Sequence, residues 1–483
     1  MAVPPTPPTR PARRPPSPDR PRLLAWRLLR AVDEQDAYAN LVLPELLRES
    51  ALDERDRAFT SELGYGTLRA LGTLDHVISL CSSRPVADID PPLRDVLRLG
   101  VYQLLRTRVP PHAAVSATVE LARSVAGEGP GSFANAVLRK VAARGGDLGA
   151  PAYDDDPTGH LAITTAHPRW IVEEFVTALD GDVAEAQRAL AADDARPEVH
   201  LVARPGRLGR DALLDEVTAA GLTGVPGPWS PWSVRLRGGD PAGVPAVRDG
   251  RAAVQDEGSQ LAAVLAAALL PQGDPTVLDM CAGPGGKGAL LAATMAGRGS
   301  GRLVATELHE HRARLTARAL RDGGGHPARP LLTVCADART APWRPGGFDL
   351  VLLDAPCSGL GSLRRRPESR WRRQPADVAA LGTLQDELLT AAVAALRPGG
   401  HLVYVVCSPV VAEGRARIDR LLRYLPGEVT AIDVRGHLPT IPTSGPGPTV
   451  QLWPHRHGTD AIFLSAVRRV ATLPPSDERL GER

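Results

Sequence analysis

The chain has 483 residues with 57 basic and 55 acidic side chains, so its formal net charge is +2, and 43% of its residues are hydrophobic. These values are typical of a soluble protein of two or three domains and exclude capture of nucleic acid by net charge alone. Five unevenly spaced cysteines do not suit a disulfide framework, which indicates a reducing, cytoplasmic compartment. Apolar runs free of charge are all too short to cross a bilayer, so no membrane partner is expected.

The amino-terminal third of the chain has helical periodicity. Residues 1–21 are rich in proline and arginine and match neither a signal peptide nor a foldable segment, which predicts a disordered tail. Apolar residues then recur at spacings of three and four through residues 22–145, which predicts an all-α domain. Val109-Pro110-Pro111 must separate two of its helices, because proline lacks an amide donor and disfavours helix in the preceding residue.

Three further segments follow this helical domain. Residues 146–166 are rich in glycine, proline and aspartate and are predicted to be a linker. Residues 167–250 combine a helix predicted from Trp170 to Ala191, a strand-like EVHLVAR and a second helix from Arg210 to Ala220, which indicates a small α/β module. Residues 251–470 precede a short tail, 471–483, that is predicted to be disordered.

Within residues 251–470 short apolar strands alternate with helices. The predicted strands are TVLDM, RLVATEL, LLTVCAD, FDLVLLDAP and HLVYVVC. Strands that are apolar on both faces imply a mostly parallel sheet covered by helices on both sides. Ligands bind such sheets at the carboxyl ends of the strands, so the residues that follow each strand are the candidate site.

Three consecutive strand ends carry residues that suit a nucleoside cofactor. The first strand leads into the loop Cys281-Ala282-Gly283-Pro284-Gly285-Gly286-Lys287, whose glycines allow a tight turn and a helix amino terminus aimed at a ligand. Glu307 can bind both ribose hydroxyls, and Asp337 is placed to meet adenine. A packing turn with incidental acidic residues is the structural alternative. The loop lacks the Lys-Ser/Thr pair of a Walker motif, which disfavours a phosphate site.

The next two strand ends each carry a cysteine. Cys357 follows Asp354 in DAPCSG, and Cys407 begins CSP. Two thiols at adjacent strand ends beside a nucleoside site indicate reactive groups, whereas Cys81 and Cys335 are predicted to fill a core. Neither reactive cysteine has a C-x-x-C or histidine partner at ligand spacing, so no metal is expected.

These motifs resemble those of a known enzyme family. VLDMCAGPGGKG, LLDAPCSGLG and VYVVCSP are similar to the motifs of the S-adenosylmethionine-dependent RNA 5-methylcytosine methyltransferases of the RsmB/Sun (Fmu) and NOL1/NOP2 family. The helical domain resembles NusB in GYGTLR, LRLGVYQLL, VPPHAAVSATVELA and FANAVLRKV, and the small module carries HPRW, with VQDEGSQ just after it. The resemblance implies a Rossmann-like methyltransferase domain with a mixed, mostly parallel sheet, preceded by an all-α NusB-like domain and a small α/β module that links the two and contacts RNA.

The resemblance also implies a reaction and residue roles. The expected reaction is methylation of carbon 5 of a cytidine in RNA, with 16S ribosomal RNA as the expected substrate. Cys407 is then the nucleophile that adds to carbon 6, Cys357 assists product release, and Asp354 hydrogen-bonds the base. A lowered thiol pKa is expected for the attack. The residues expected to bind S-adenosylmethionine are Cys281, Ala282, Gly283, Pro284, Gly285, Gly286, Lys287, Glu307, Asp337 and Asp354.

Alternatives remain open at this stage. In the DNA cytosine methyltransferase layout the Pro-Cys cysteine, here Cys357, is the nucleophile. Transfer RNA is a second candidate substrate, and a catalytically idle RNA-binding assembly factor is a third possibility of a different class. The chain departs from the family pattern at Val406, Pro409 and Ala461, and Glu413 lacks the asparagine that usually follows it. None of these changes removes a reactive group.

Arginine-rich segments supply the candidate RNA contacts. GSLRRRPESRWRRQ follows the Pro-Cys loop, and its arginines are predicted to hold RNA phosphates, a solvated basic face being the alternative. The arginines of this segment are Arg364, Arg365, Arg366, Arg370, Arg372 and Arg373. A second RNA surface is expected on the helical domain, with Arg27, Arg30, Arg55, Arg57 and Arg69 as candidates. The protein is expected to act as a cytoplasmic monomer.

Overall fold

The computed structural model describes residues 19–470 apart from 300, 324–330, 341, 440, 443 and 446. The predicted carboxy-terminal tail, 471–483, lies outside the described residues, and so do residues 1–18 of the predicted amino-terminal tail. The chain divides into two compact units. The first contains the residues up to His167 together with Arg366–Glu368, and the second contains Pro168–Arg365 and the residues from Ser369 onward.

The secondary structure described in the first unit is helical. Its α-helices are α1 (Arg20–Glu34), α2 (Ala39–Glu49), α3 (Glu54–Cys81), α4 (Pro91–Arg106), α5 (Pro111–Ala126), α6 (Glu128–Arg144) and α7 (Pro157–Thr164). Asp53 caps α3 by accepting the Asp56 N–H at 2.8 Å, and prolines open α4 and α5. Leu28, Leu74 and Leu97, among other apolar side chains, are buried in one core. The predicted break between α4 and α5 is confirmed.

Two predictions for this unit are corrected. The predicted linker contains α7, whose first turn is capped by Asp156 and whose Leu161 is buried, so this segment packs as a helix. Arg30 is not an exposed RNA contact, because its guanidinium is buried and binds Asp95 at 2.9 Å. Arg98 binds the same carboxylate at 3.0 Å, which makes Asp95 the centre of a buried ion network.

The second unit begins with a small antiparallel sheet. Its elements up to residue 254 are α8 (Arg169–Ala178), α9 (Val183–Asp194), β1 (Val199–Ala203), α10 (Arg210–Ala219), β2 (Gly224–Pro226), β3 (Ser233–Leu236), α11 (Pro245–Arg248) and β4 (Ala252–Val254). The strands pair in the order β2-β3-β1-β4. The single helix predicted from Trp170 to Ala191 is two helices, because Asp180 and Gly181 both adopt positive φ and turn the chain between α8 and α9.

The rest of the second unit is a larger mixed sheet with helices packed against it. Its elements are α12 (Glu257–Ala268), β5 (Thr276–Met280), α13 (Gly286–Gly297), β6 (Arg302–Glu307), α14 (Glu310–Asp322), β7 (Leu331–Cys335), β8 (Phe348–Asp354), α15 (Ser369–Arg372), α16 (Pro375–Ala395), β9 (Leu396–Val406), α17 (Arg415–Tyr424), β10 (Val429–Ile432), β11 (Val450–Gln451), α18 (Pro454–His457) and β12 (Phe463–Arg469). The strand order is β10-β12-β9-β8-β5-β6-β7, and β11 pairs with β12. Strands β9, β8, β5, β6 and β7 are parallel, and β12 is antiparallel to β9.

Alternate residues of the central strands face two different cores. Leu350 and Leu352 of β8 pack with α12 and α13, whereas Val351 and Leu353 pack with α16 and α17. Both faces of the sheet are therefore covered, which is why these strands are apolar throughout. The observed architecture confirms the predicted fold class, including the mostly parallel sheet.

One helix in the described part of the chain, α16, is long and apolar enough to cross a membrane by length and composition. Its Leu388, Leu389 and Ala392 are buried in the core against β8 and β9. The helix therefore serves as a core helix of the sheet.

Candidate active site

The loop after β5 closes against the next strand. Cys281 adopts a positive φ of 57°, and the Ala282 N–H donates to the Thr306 carbonyl at 2.9 Å. The Gly283 N–H donates to Glu307 Oε2 at 3.0 Å. A Cβ at Gly283 would collide with Glu307 Oε2, so a larger residue would displace this carboxylate. The structure thus brings the predicted loop and Glu307 together.

Residues of this loop fit a nucleoside cofactor. Gly285 precedes α13 with a φ of 100°, and a Cβ there would lie 2.9 Å from the Thr316 Cα, so only glycine allows the turn. The first turn of α13 leaves backbone N–H groups without helical partners, as a ligand site requires. Asp337 lies two residues beyond β7 and binds Arg339 at 2.6 Å, which holds the pKa of that carboxyl below its usual range.

Lys287 connects the loop to the end of β8. Its Nζ donates to Asp354 Oδ2 at 2.6 Å, so the two predicted residues form an ion pair. Asp279, in β5, is an electrostatic neighbour of this ion pair that was not predicted from the sequence. Asp279 is fully buried, and neither of its carboxylate oxygens has a hydrogen-bond partner among the described residues. Burial and the neighbouring Asp354 raise the pKa of Asp279 to about 8, so it is mostly protonated at neutral pH.

The two cysteine loops are held side by side. The Ala355 N–H donates to the Val405 carbonyl at 2.9 Å, and the Gly361 N–H donates to the Cys407 carbonyl at 3.0 Å. A Cβ at Gly361 would collide with the carbonyl oxygen of Ala461, which explains the glycine. Adjacent parallel strands thus place Cys357 and Cys407 at the same edge of the sheet as Lys287 and Asp354.

Comparison with known proteins matches residues 266–468 to the family described as 16S rRNA methyltransferase RsmB/F, and residues 19–143 to the NusB family. The chain is 51% identical over 468 residues to the putative methyltransferase MT1451 of Mycobacterium tuberculosis (strain CDC 1551 / Oshkosh), covering 95% of this chain and 98% of that protein. It is 32% identical over 460 residues to the probable ribosomal RNA small subunit methyltransferase B of Bacillus subtilis (strain 168), covering 93% and 98%. The chain belongs to the RsmB family.

Membership confirms the predicted family and enzyme class. This RsmB-family protein is an S-adenosylmethionine-dependent RNA methyltransferase with an amino-terminal NusB-like domain. The solved structure of PH0851 shares the fold, with a TM-score of 0.76 at 22% identity over 93% of this chain and 99% of that chain.

The surroundings of the two thiols in the RsmB-family site raise their pKa values. Burial raises the pKa of the Cys407 thiol well above its usual range, and Asp460 acts in the same direction, whereas Lys287 lowers it. Burial also raises the pKa of the Cys357 thiol to about 12. The expected lowered thiol pKa is therefore wrong for this arrangement, because desolvation of the thiolate outweighs the single nearby ammonium group.

Glu413 supports both cysteine loops and was noted in the sequence only as a departure from the family pattern. Its carboxylate is buried and accepts the Ser358 N–H at 2.7 Å and the Ser358 hydroxyl at 2.5 Å. The Ser358 hydroxyl also lies 3.2 Å from the Ser408 hydroxyl, which follows Cys407. One buried carboxylate thus ties the residue after Cys357 to the residue after Cys407. No sequence signal could show this, because the partners are 55 residues apart.

The arginine-rich segment is partly structural, which corrects the prediction for three of its residues. Arg364 binds Asp460 at 2.9 Å, and Arg365 binds Asp256 at 2.9 Å. Arg370 is fully buried and binds Asp194 at 3.0 Å. These guanidinium groups pair with carboxylates inside the unit, of which Asp256 and Asp460 are buried, and do not form an exposed RNA surface. Arg366, Arg372 and Arg373 stay predicted RNA contacts.

The structure also shows the environment of two further cysteines and of the possible metal ligands. Cys81 is buried, as predicted, whereas Cys335 is exposed at the end of β7, so its assignment to a core was wrong. Among the described residues, no group of three or more His, Cys, Asp or Glu side chains is placed to hold a metal ion. The expected absence of a metal stays a prediction.

The opposing effects of burial and Lys287 on Cys407 give a testable pH dependence. Below its raised pKa, the thiolate fraction of Cys407 grows about tenfold per pH unit, and the rate of alkylation by iodoacetamide should follow it. Lys287→Met removes the group that lowers this pKa, so alkylation of Cys407 at pH 8 should slow. The measurement is peptide mass spectrometry over time between pH 7 and 9. Lys140→Met, which replaces the other lysine of the chain, is the control. Equal or faster alkylation in Lys287→Met would contradict the assignment.

Removal of the Glu413 carboxylate should loosen both cysteine loops. Glu413→Ala leaves the buried N–H and hydroxyl of Ser358 without their acceptor, which should lower the free energy of unfolding by about 2–4 kcal/mol. Alkylation of Cys357 under native conditions should become faster, and Glu413→Gln should restore part of the loss. Urea unfolding and thiol mapping measure the two effects. Glu428→Ala, at an exposed position, is the control. A Glu413→Ala protein with unchanged stability and thiol protection would show that the loops are held by other contacts.

Proposed function

We propose that this protein methylates carbon 5 of a cytidine in RNA through a covalent bond between Cys407 and the base. The supporting observation is the placement of Cys407 and Cys357 at neighbouring strand ends beside the Lys287–Asp354 ion pair. Carbon 5 of cytosine is a poor nucleophile, and addition of a thiolate to carbon 6 converts the ring into an enamine that can attack a methyl group. A pair of thiols and a carboxylate suit this chemistry.

The cofactor in this proposal is S-adenosylmethionine, which supplies an electrophilic methyl group. The loop from Cys281 to Lys287 would hold it with Glu307, Asp337 and Asp354. The contact between Gly283 and Glu307 supports this assignment, because it joins a backbone surface to the carboxylate proposed to bind the ribose.

Each reactive side chain has one role in the proposed reaction. Cys407 reacts as the thiolate, and its Sγ forms the bond to carbon 6 of the base. Asp354 hydrogen-bonds the protonated face of the base, and Lys287 favours the thiolate of Cys407 electrostatically. After methyl transfer the proton leaves carbon 5 and the Sγ–carbon 6 bond breaks, and Cys357 assists this elimination, which releases Cys407. Both cysteines are partly buried, which limits access of water to the covalent intermediate.

We propose small-subunit ribosomal RNA as the substrate. The matched family is described as 16S rRNA methyltransferase, and the Bacillus subtilis relative is named a ribosomal RNA small subunit methyltransferase. Candidate RNA contacts are Arg366, Arg372 and Arg373 of the arginine-rich segment and Arg27, Arg55, Arg57 and Arg69 of the NusB-like domain. The target base must leave its stack to reach the partly buried Cys407, at a cost of a few kcal/mol. Action as a cytoplasmic monomer completes the proposal.

Separate replacement of the two cysteines tests the chemistry. Cys407→Ala should abolish both methyl transfer and the covalent RNA adduct, because no sulfur remains to attack carbon 6. Cys357→Ala should accumulate the adduct, because release is slowed. Denaturing gels of protein mixed with RNA and S-adenosylmethionine measure the adduct, and Cys335→Ala is the control. Loss of the adduct in Cys357→Ala and its persistence in Cys407→Ala would instead make Cys357 the nucleophile.

Mapping of 5-methylcytosine in cellular RNA tests the substrate. One cytidine of 16S ribosomal RNA should lose its methyl group in cells without the protein and regain it when the wild-type gene, but not Cys407→Ala, is restored. Bisulfite sequencing of ribosomal and transfer RNA gives the readout. A change confined to transfer RNA would move the proposal to that substrate, and an unchanged pattern in both would favour an assembly factor without catalysis.

A further inference from the structure

Arg204 places a buried positive charge beside the cofactor loop. It follows β1, is only 4% exposed, and its Nη1 lies 3.4 Å from the Gly286 carbonyl oxygen. Among the residues that the structure describes, no carboxylate lies within ion-pair distance of Arg204. Burial lowers the pKa of the Arg204 guanidinium to about 10, so the group stays charged at neutral pH. A buried cation without a counter-charge is costly unless a ligand supplies one.

The side-chain amide of Gln255 lies against the same glycine, Gly286. Its side chain is 9% exposed, and neither its amide oxygen nor its amide nitrogen has a hydrogen-bond partner within the described part of the chain. The amide carbon lies 3.6 Å from the position that a Cβ of Gly286 would occupy. The backbone of Gln255 is fixed, because its N–H donates to the His200 carbonyl at 2.9 Å and its carbonyl accepts from Gln260 at 2.9 Å. The amide is therefore held against the loop.

Gly286 is also the first residue of α13. The amino terminus of a helix carries unpaired N–H groups and a partial positive charge, both of which favour an anion. Gly285 in its left-handed conformation and Gly286 add no side chain that would cover this end. Arg204 and Gln255 thus both lie against Gly286, the residue at which α13 begins.

We propose that Arg204, Gln255 and the amino terminus of α13 form a site for the α-carboxylate of the cofactor's amino-acid end. This inference rests on the proposed function, because it assigns a further part of the same cofactor. The depth of the site favours this ligand over an RNA phosphate, since a phosphodiester carries two bulky nucleosides and Arg204 and Gln255 are both at least 91% buried. Arg204 lies outside the motifs that carry the family resemblance, whereas Gln255 is the second residue of VQDEGSQ, to which the sequence alone assigned no role.

Binding of two adenosine thioethers tests the proposal. S-adenosylhomocysteine has the carboxylate, and 5′-methylthioadenosine lacks the whole amino-acid end. Arg204→Gln and Gln255→Glu should each weaken S-adenosylhomocysteine binding by about tenfold to a hundredfold, as expected for loss of a charge-assisted hydrogen bond or gain of a repelling carboxylate. Both variants should bind 5′-methylthioadenosine with unchanged affinity. Isothermal titration calorimetry on the full chain gives the dissociation constants.

Controls separate this proposal from the others. Arg207→Gln, three residues away and exposed, should bind both compounds as the wild type does. Arg204→Lys and thermal melting show whether a weak variant is folded, since Lys retains the charge and should recover part of the affinity. Equal S-adenosylhomocysteine affinity in folded variants overturns the inference, and reduced RNA binding with unchanged S-adenosylhomocysteine binding would assign Arg204 to a phosphate. If the wild type binds neither compound, the proposed function itself fails.

Discussion

Parallel hydrogen bonding between β9, β8, β5, β6 and β7 is the constraint on which the rest of the structure depends. It aligns five carboxyl ends on one edge, so residues far apart in the chain meet there. The partnership of Lys287 with Asp354, 67 residues later, follows from this register. The loops that carry Cys357 and Cys407 are adjacent for the same reason, because they follow the paired strands β8 and β9. Helices on both faces keep the sheet dry and leave this edge as the place where polar groups can collect.

Desolvation by burial has the largest effect on the pKa values of the site. Burial opposes ionisation of Asp279, Cys357 and Cys407 alike, and the ammonium of Lys287 is the positive group that lowers the pKa of Cys407. A thiol that stays protonated in such surroundings is protected from adventitious oxidation and alkylation, because the thiolate is the reactive form. Glu413 adds rigidity to the same edge, since one carboxylate satisfies two groups of Ser358. The arrangement holds the two cysteine loops in place.

Arginine has two uses in this protein. The chain contains 55 arginines and two lysines, so arginine occurs both at the surface and in buried ion networks. Arg364 and Arg365 share Asp256 and Asp460, and Arg370 reaches Asp194. A cluster of arginines in such a sequence is consistent with an RNA surface and with a structural clamp. Only the positions of the acidic partners distinguish the two, and those partners lie on other elements.

By itself, the sequence determined the order of the strands along the chain, the glycines of the cofactor loop and the identity of the strand-end residues. These follow from local rules, because apolar alternation, turn geometry and motif spacing involve neighbours in the chain. The tertiary structure decided the direction of the Cys407 pKa, the structural role of Arg364 and the separate contacts of Arg204 and Gln255 with Gly286. Desolvation and charge pairing depend on neighbours in space, and Arg364 and Asp460 are 96 residues apart. A local sequence pattern cannot predict a contact between residues that are so far apart in the chain.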